Sequence, residues 1–349
     1  MLRTLVLLVA LTSAACLTTT RTQGDNPSAA ELLARADAFF DGRQTENALE
    51  TYKMAAVAAR GEGNQALFAE AAAQVAYTLA LSGEALEGQS WMDHAEQSAT
   101  IEQPAAWVRL LLARGALQRG TDEPEAALAS FTAAYDFALA TGQPVRAVQA
   151  AYMAVVVAGD ELQIRWNHKA LDVARGMGNP RLVSSLWAQL AWLLDERELA
   201  DEALAAFASA RRALDDLDDP HQELVADWSY AHGLRMAGRL ADARALMTDV
   251  ATRAERSYVA LQRPNDAEWV GHSLRELGEL DLADGDALLA LARFDQAREK
   301  FMLAGIAESA PASLEELDRR IREVRSRAAE QDAREQSAPT LEDGEKQGG

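Results

Sequence analysis

Along most of the chain, apolar positions recur with a helical period and a fixed size order. A small residue is followed four positions later by a large apolar one and three further on by another small one. The instances are Ala48/Tyr52/Ala55, Gly88/Met92/Ala95, Ala127/Phe131/Ala134, Ala203/Phe207/Ala210, Ala243/Met247/Val250 and Ala290/Phe294/Ala297. A weaker copy, Gln163/Asn167/Ala170, puts polar groups in the first two places. These offsets set all three residues on one face of an α-helix. Small residues let a neighbouring helix approach, and the large one fills the gap. Gly83, Gly238 and Gly285 each stand five residues before the first small position, where a helix-joining turn is expected.

A second series gives the other helix of each unit. Pro104, Pro144, Pro180, Pro220, Pro264 and Pro311 are spaced by 40, 36, 40, 44 and 47 residues, each after a turn-like stretch such as "TGQP" or "MGNP". "EGNQ" at 62–65 holds the same place with Gln65 instead of proline. Proline suits the first turn of a helix, where its missing N–H is no loss. Each unit of about 40 residues therefore holds two helices. Alanine is abundant and β-branched runs are rare, Val155-Val156-Val157 being the notable one, so the expected class is all-α.

The stretch "MAGRLADARALMTDV" at 236–250 resembles the inter-helix turn and second helix of the tetratricopeptide repeat family. Trp187, Leu190 and Ala191 match the family's aromatic, leucine and small positions in a first helix, and Leu274, Leu277 and Gly278 match them in part. The likeness covers residues 28–310, about seven repeats, each longer than the family's usual 34 residues or so. The resemblance implies a right-handed α-solenoid of about seven helix pairs whose first helices line a groove. One groove column would read Asp37, Tyr77, Arg114, Tyr152, Trp192, His232 and Glu279, with Trp107 and Trp228 nearby. Aromatic residues with a polar edge make good binding anchors, and partner-protein segments are the usual occupants of such grooves. The alternative is that these aromatics pack between helices, as expected for Phe131 and Phe207. The family's Lys/Asn clamp for a terminal carboxylate has no counterpart in this sequence.

Past Pro311 the pattern changes. Leu314, Leu317, Ile321 and Val324 form one apolar stripe in a highly charged segment. Residues 311–335 read as a terminal capping helix, which a solenoid needs to present a polar end; a partner-binding coiled helix is the alternative. Residues 336–349 read as a disordered tail.

The chain opens "MLRTLVLLVALTSAACLTTT". Arg3, the apolar run Leu5–Leu11 and the small residues Ser13-Ala14-Ala15 have the layout of a signal peptide, too short to span a bilayer. Cys16, the single cysteine of the chain, follows directly, so residues 1–15 resemble a bacterial lipoprotein signal with Cys16 as the lipidation site. Ser13 departs from the large aliphatic residue usual there, and ordinary secretion or a cytoplasmic location are the alternatives. The polar segment 16–27 reads as a tether. Leu17, in place of an aspartate, favours the outer membrane over inner-membrane retention.

Composition narrows the chemistry. A net charge of −20 and a pI of about 4.7 oppose nucleic-acid binding, which needs cations to replace phosphate counterions. They favour basic partner segments. One cysteine permits no internal disulfide and no cysteine-rich zinc site. No P-loop, HExxH, GxSxG or SxxK is present. His94, His168, His221, His232 and His272 lack metal-ligand spacing. "LDDLDDPHQE" at 214–223 lacks the turning glycine of a calcium loop, and Asp219 beside Pro220 reads as a helix cap. No cofactor and no metal site are expected.

The sequence therefore points to a non-catalytic interaction scaffold, lipid-anchored in a bacterial envelope and facing the periplasm. The alternative is a soluble sensor module binding a peptide or small molecule. An enzyme with an unrecognised carboxylate site is the third reading.

Overall fold

The computed structural model describes residues 27–337, with side chains to 329. The signal, Cys16 and tail expectations fall outside these residues. No strand occurs among the described residues. The helices are α1 (Ala29–Asp41), α2 (Thr45–Gly61), α3 (Gln65–Leu81), α4 (Ala85–Ser98), α5 (Pro104–Gly120), α6 (Pro124–Ala140), α7 (Pro144–Val157), α8 (Asp160–Gly176), α9 (Pro180–Asp195), α10 (Ala200–Arg212), α11 (Pro220–Met236), α12 (Leu240–Leu261), α13 (Pro264–Ala283), α14 (Ala287–Leu303), α15 (Ile306–Ser309) and α16 (Pro311–Ser337). In chain order, α1 to α14 alternate as first and second helices of seven helix–turn–helix repeats.

Local chemistry places the helix ends. Ser28 caps α1 reciprocally: its Oγ accepts from the Glu31 amide at 3.3 Å, and Glu31 accepts from the Ser28 amide at 2.8 Å. Prolines at 104, 144, 180, 220, 264 and 311 open α5, α7, α9, α11, α13 and α16. Asp219 caps α11 by accepting from the Gln222 amide at 3.2 Å. The intra-pair turns other than that between α7 and α8 pass through the left-handed region. Gly238 at φ 74° and Gly285 at φ 87° adopt it without steric cost, whereas Asp122 and Glu198 hold the same geometry at φ 61° and 59°.

The chain divides into two compact units, one up to Leu193 and one from Leu194. In unit 1, the pairs α1/α2, α3/α4, α5/α6 and α7/α8 stack in order. Their core holds the small–large–small triplets, with Tyr52, Met92 and Phe131 sealed from solvent. Asn167 stands in the corresponding place on α8, fully buried, and donates to Gln189 Oε1 at 2.9 Å. That polar pair is where the fourth repeat departs from an apolar core.

In unit 2, Phe207, Met247 and Phe294 fill the same places. The ring space is made by glycine: a Cβ at Gly278 would lie 2.6 Å from Phe294, and one at Gly233 2.7 Å from Phe207. Leu314, Leu317, Ile321 and Val324 of α16 cover Ala290, Phe294, Ala297 and Phe301 of α14, which closes the apolar end of the unit.

Candidate functional site

The first helices of unit 1 carry a layered polar network on a shared face. At its base, Asp37 of α1 accepts from both guanidinium nitrogens of Arg109 on α5, at 2.9 and 2.6 Å. It also accepts from Tyr52 Oη at 2.6 Å and from Arg146 of α7 at 3.4 Å. Arg109 Nε lies 3.3 Å from Glu70 of α3, and Gln74 donates to Tyr52 Oη at 3.0 Å. Three repeats thus converge on one carboxylate, and the second joins through Glu70 and Gln74, by contacts between residues as far apart as Asp37 and Arg146.

Burial alone would raise the Asp37 carboxyl, but Arg109, then Arg146 and Tyr52, outweigh it and hold it at about 2. Glu70 moves the other way: burial raises it more than Arg109 lowers it. The Tyr52 hydroxyl is pushed strongly up by burial and by Asp37, so it remains a donor.

Above this base sits a more accessible layer of Asp41, Arg43, Arg119, Arg146, Gln149 and Tyr152. Asp41 makes no ion pair among the described residues. Burial, then repulsion from Asp37, push its carboxyl up to about 6. Tyr77 is buried beneath, hydrogen-bonded to Gln149, with Phe40 tilted against it at 5.9 Å. Tyr152 is half-buried with its hydroxyl pushed up to about 12, first by burial and then by Tyr77, while Arg43 and Arg119 pull the other way.

This layer sets a pH response. Asp41 binds its proton more tightly folded, at about 6, than at the ordinary 3.8. Its contribution therefore makes unit 1 more stable as pH falls from 7 towards 4. Asp37, at about 2, contributes stability above 3.8 that is lost as pH falls towards 2. Asp41→Asn should stabilise the protein at pH 7 by on the order of 1 kcal/mol, allowing for solvent screening at a half-buried group. Urea titrations at pH 7 and pH 5 check this: the gain should shrink at the lower pH.

The first-helix face of unit 2 is organised around His232. Its Nε2 lies 3.2 Å from Asp195 Oδ2, and its Nδ1 3.2 Å from Glu276 Oε2, which also accepts from Arg235 at 2.8 Å. Burial would lower the imidazole pKa, but Glu276 and Asp195 raise it overall. Trp228 stacks on the ring at 15° and 5.9 Å. Trp228 in turn meets Trp269 and His272 edge-on. Glu279 takes two bonds from Arg320 of α16, at 2.8 and 2.6 Å.

The residues expected to line the groove are therefore placed unequally. Tyr77 and Tyr152 join Asp37 in the unit 1 network. Trp107 and Trp192 are half-buried. Trp228 and His232 are buried packing partners within unit 2. Arg114 turns towards α4 and donates to Glu96 at 3.0 Å. It stands five residues from Arg109, and that spacing rotates a side chain by about 140° around a helix.

The inner cations, Arg109 and Arg146, were absent from the sequence column, as were Glu70, Asp41 and Gln149. Arg109 did carry a signal: it interrupts the apolar run "WVRLLLA", and a charge so placed needs a buried partner. Among the described residues, no helix is long and apolar enough to cross a membrane. No group of three or more His, Cys, Asp or Glu among them is placed to hold a metal ion.

No family model and no curated protein matches the chain. Among solved structures it is similar to the Signal Transduction ATPase with Numerous Domains protein with a tetratricopeptide repeat sensor from Pyrococcus horikoshii. That alignment has 14% identity and a TM-score of 0.62, and it covers 84% of this chain and 44% of the other. The chain thus spans less than half the length of that protein. A tetratricopeptide repeat protein from Parabacteroides merdae aligns at 18% identity and a TM-score of 0.43, over 83% of this chain and 98% of that one. A Rap protein complexed with competence and sporulation factor aligns at 11% identity and 0.49, over 79% and 77%. The first alignment shows the fold, an all-α array of tetratricopeptide-like helix pairs. The other two are too distant in geometry to add to it.

Proposed function

We propose that this protein is a non-catalytic interaction scaffold, held in a bacterial envelope by lipid on Cys16, that grips a segment of a partner protein on the first-helix face of unit 1. The observation that carries the reading is the contrast between the two layers of that face. In the base, Asp37 is saturated by Arg109, Arg146 and Tyr52. In the layer above, Asp41 is a desolvated carboxylate with no ion pair among the described residues, attracted only at longer range by Arg146 and Arg109. A partner segment presenting a Lys or Arg to Asp41 supplies a direct counter-charge. Its backbone carbonyls would face Arg119 and Arg146, and its side chains would rest on Tyr152. Trp107 and Trp192 extend the aromatic surface of the same unit. Repeat folds serve in this way because successive first helices present one continuous face.

Pull-down from native membranes tests the face. Asp41→Asn and Tyr152→Ala should each reduce partner recovery roughly five-fold or more, with helical circular dichroism unchanged. Undiminished recovery in both variants contradicts the reading. Cys16→Ser tests the anchor by membrane fractionation: the variant should leave the membrane pellet, and unchanged pelleting contradicts lipidation.

A second reading is a soluble regulatory module that binds a peptide or small molecule. The tetratricopeptide repeat sensor of the Pyrococcus horikoshii protein and the Asp41 carboxyl raised to about 6 favour it. An uncleaved N-terminus recovered from cytosol would select it over the anchored scaffold.

A further inference from the structure

On the second-helix side of unit 1, between α2 and α4, two adjoining clefts share Arg60, Phe68 and His94. One, of about 570 Å³, is mainly apolar and adds Val57 and Trp91. The other, of about 310 Å³, is evenly mixed in polarity and adds Gln97. Among the described residues no carboxylate lines either cleft, in a chain with 54 acidic residues against 34 Lys and Arg.

Arg60 lies over the Phe68 ring at 4.5 Å and makes no ion pair among the described residues. The next cation on α2, Lys53, by contrast sits within 3.7 Å of both Glu50 and Glu87. Phe68 is 8% exposed and forms the floor, Val57 is 72% exposed at the rim, and Trp91 and His94 meet edge-on at 6.3 Å.

These features select one kind of occupant. An aromatic or large aliphatic side chain covers Val57, Phe68 and Trp91, exchanging water for apolar contact. A carboxylate beside it gives Arg60 the counter-charge that its own chain withholds, in the bidentate geometry that guanidinium favours. A basic segment would place like charge against Arg60 with nothing to offset it. The geometry points to a second docking site: the α2–α4 cleft takes a partner segment in which a large apolar side chain stands next to Asp or Glu.

The comparable cleft of unit 2, about 850 Å³ over Val270, Leu274 and Leu277, differs in charge. Two carboxylates, Glu255 and Glu299, line it, and Lys300 reaches both oxygens of Glu255 at 3.0 Å.

The test is fluorescence anisotropy on the full chain with a labelled synthetic peptide, Gly-Ser-Asp-Phe-Glu-Asp-Gly. Control peptides replace Phe by Ala, or all three acids by Lys. Trp91→Ala and Arg60→Glu should each weaken binding roughly ten-fold or more, and both control peptides should lose binding. Asp41→Asn, on the first-helix face, and Lys53→Ala should leave binding within about two-fold, so this site stands or falls separately from that face. Absence of binding to the wild-type chain overturns the proposal. So does equal binding by Trp91→Ala and Arg60→Glu when circular dichroism shows both folded, and so does equal affinity for the Ala or Lys control peptide.

Discussion

Replacing Arg109 with Met should destabilise unit 1 by about 3–5 kcal/mol, the usual cost of removing one partner from a buried charge network. Arg109 is 6% exposed, and two carboxylates depend on it. Asp37 would keep Tyr52 and the longer contact to Arg146, and Glu70 would lose its ion pair. The penalty therefore lies mainly in uncompensated charge rather than in lost volume, since Met is close to Arg in side-chain volume though shorter. Adding Asp37→Asn and Glu70→Gln to the variant should recover most of the loss, because it removes the charges that the guanidinium neutralised. Urea unfolding followed by circular dichroism measures both steps. A loss below about 1 kcal/mol for Arg109→Met would mean that the network does not hold the first helices together.

Phe294→Ala should cost about 3–5 kcal/mol in unit 2. The ring is fully buried, at the centre of the cluster that α16 closes. Its space exists because residue 278 has no side chain: a Cβ there would approach the ring to 2.6 Å. Gly278→Ala alone should therefore cost about 1–3 kcal/mol by overpacking. The two sites are coupled, so the double variant Gly278→Ala/Phe294→Ala should cost less than the sum of the single changes. Strict additivity would show that ring and glycine are not packed as described. Gly115 against Phe131 is the same device in unit 1, again with 2.6 Å to the ring.

Both kinds of stabilisation began as sequence features, but one was far easier to read. The six prolines and the small–large–small triplets are local signals, and each constrains a single turn or helix face. They located the helix starts at Pro104, Pro144, Pro180, Pro220, Pro264 and Pro311 and the core rings at Tyr52, Phe131, Phe207 and Phe294. Asn167 stood out in the sequence as the polar member of the series, and it is buried against Gln189.

The charge network was not legible in the same way. Asp37 meets Arg109 and Arg146 across 72 and 109 residues of chain. Whether a given Arg faces the network depends on helix rotation. Arg114 and Arg109 differ by five positions on one helix, and only a resolved helix phase shows which reaches Asp37 and which reaches Glu96. Trp228 and His232 belong to the same lesson. They carry the chemistry of binding anchors, yet Asp195, Glu276, Trp269 and His272 already occupy their polar and aromatic surfaces. Residue type alone does not distinguish an anchor from a packing partner.

The two unit 1 surfaces differ in charge logic. The first-helix face offers Asp41, a carboxylate with no ion pair among the described residues, suited to a basic group on a peptide. The α2–α4 cleft has no carboxylate in its lining among the described residues and offers Arg60 instead. If both proposals hold, the two faces would take segments of opposite charge without competition between them.

The most direct test of the central claim is site-specific photo-crosslinking in cells. A photoreactive residue is placed at Tyr152 on the first-helix face, and as a control at Leu139, which is exposed on α6. The account predicts a discrete protein adduct from position 152 that is absent from position 139 and is lost when Asp41→Asn is added. The same adduct from both positions, or an adduct at 152 that persists with Asp41→Asn, would contradict it.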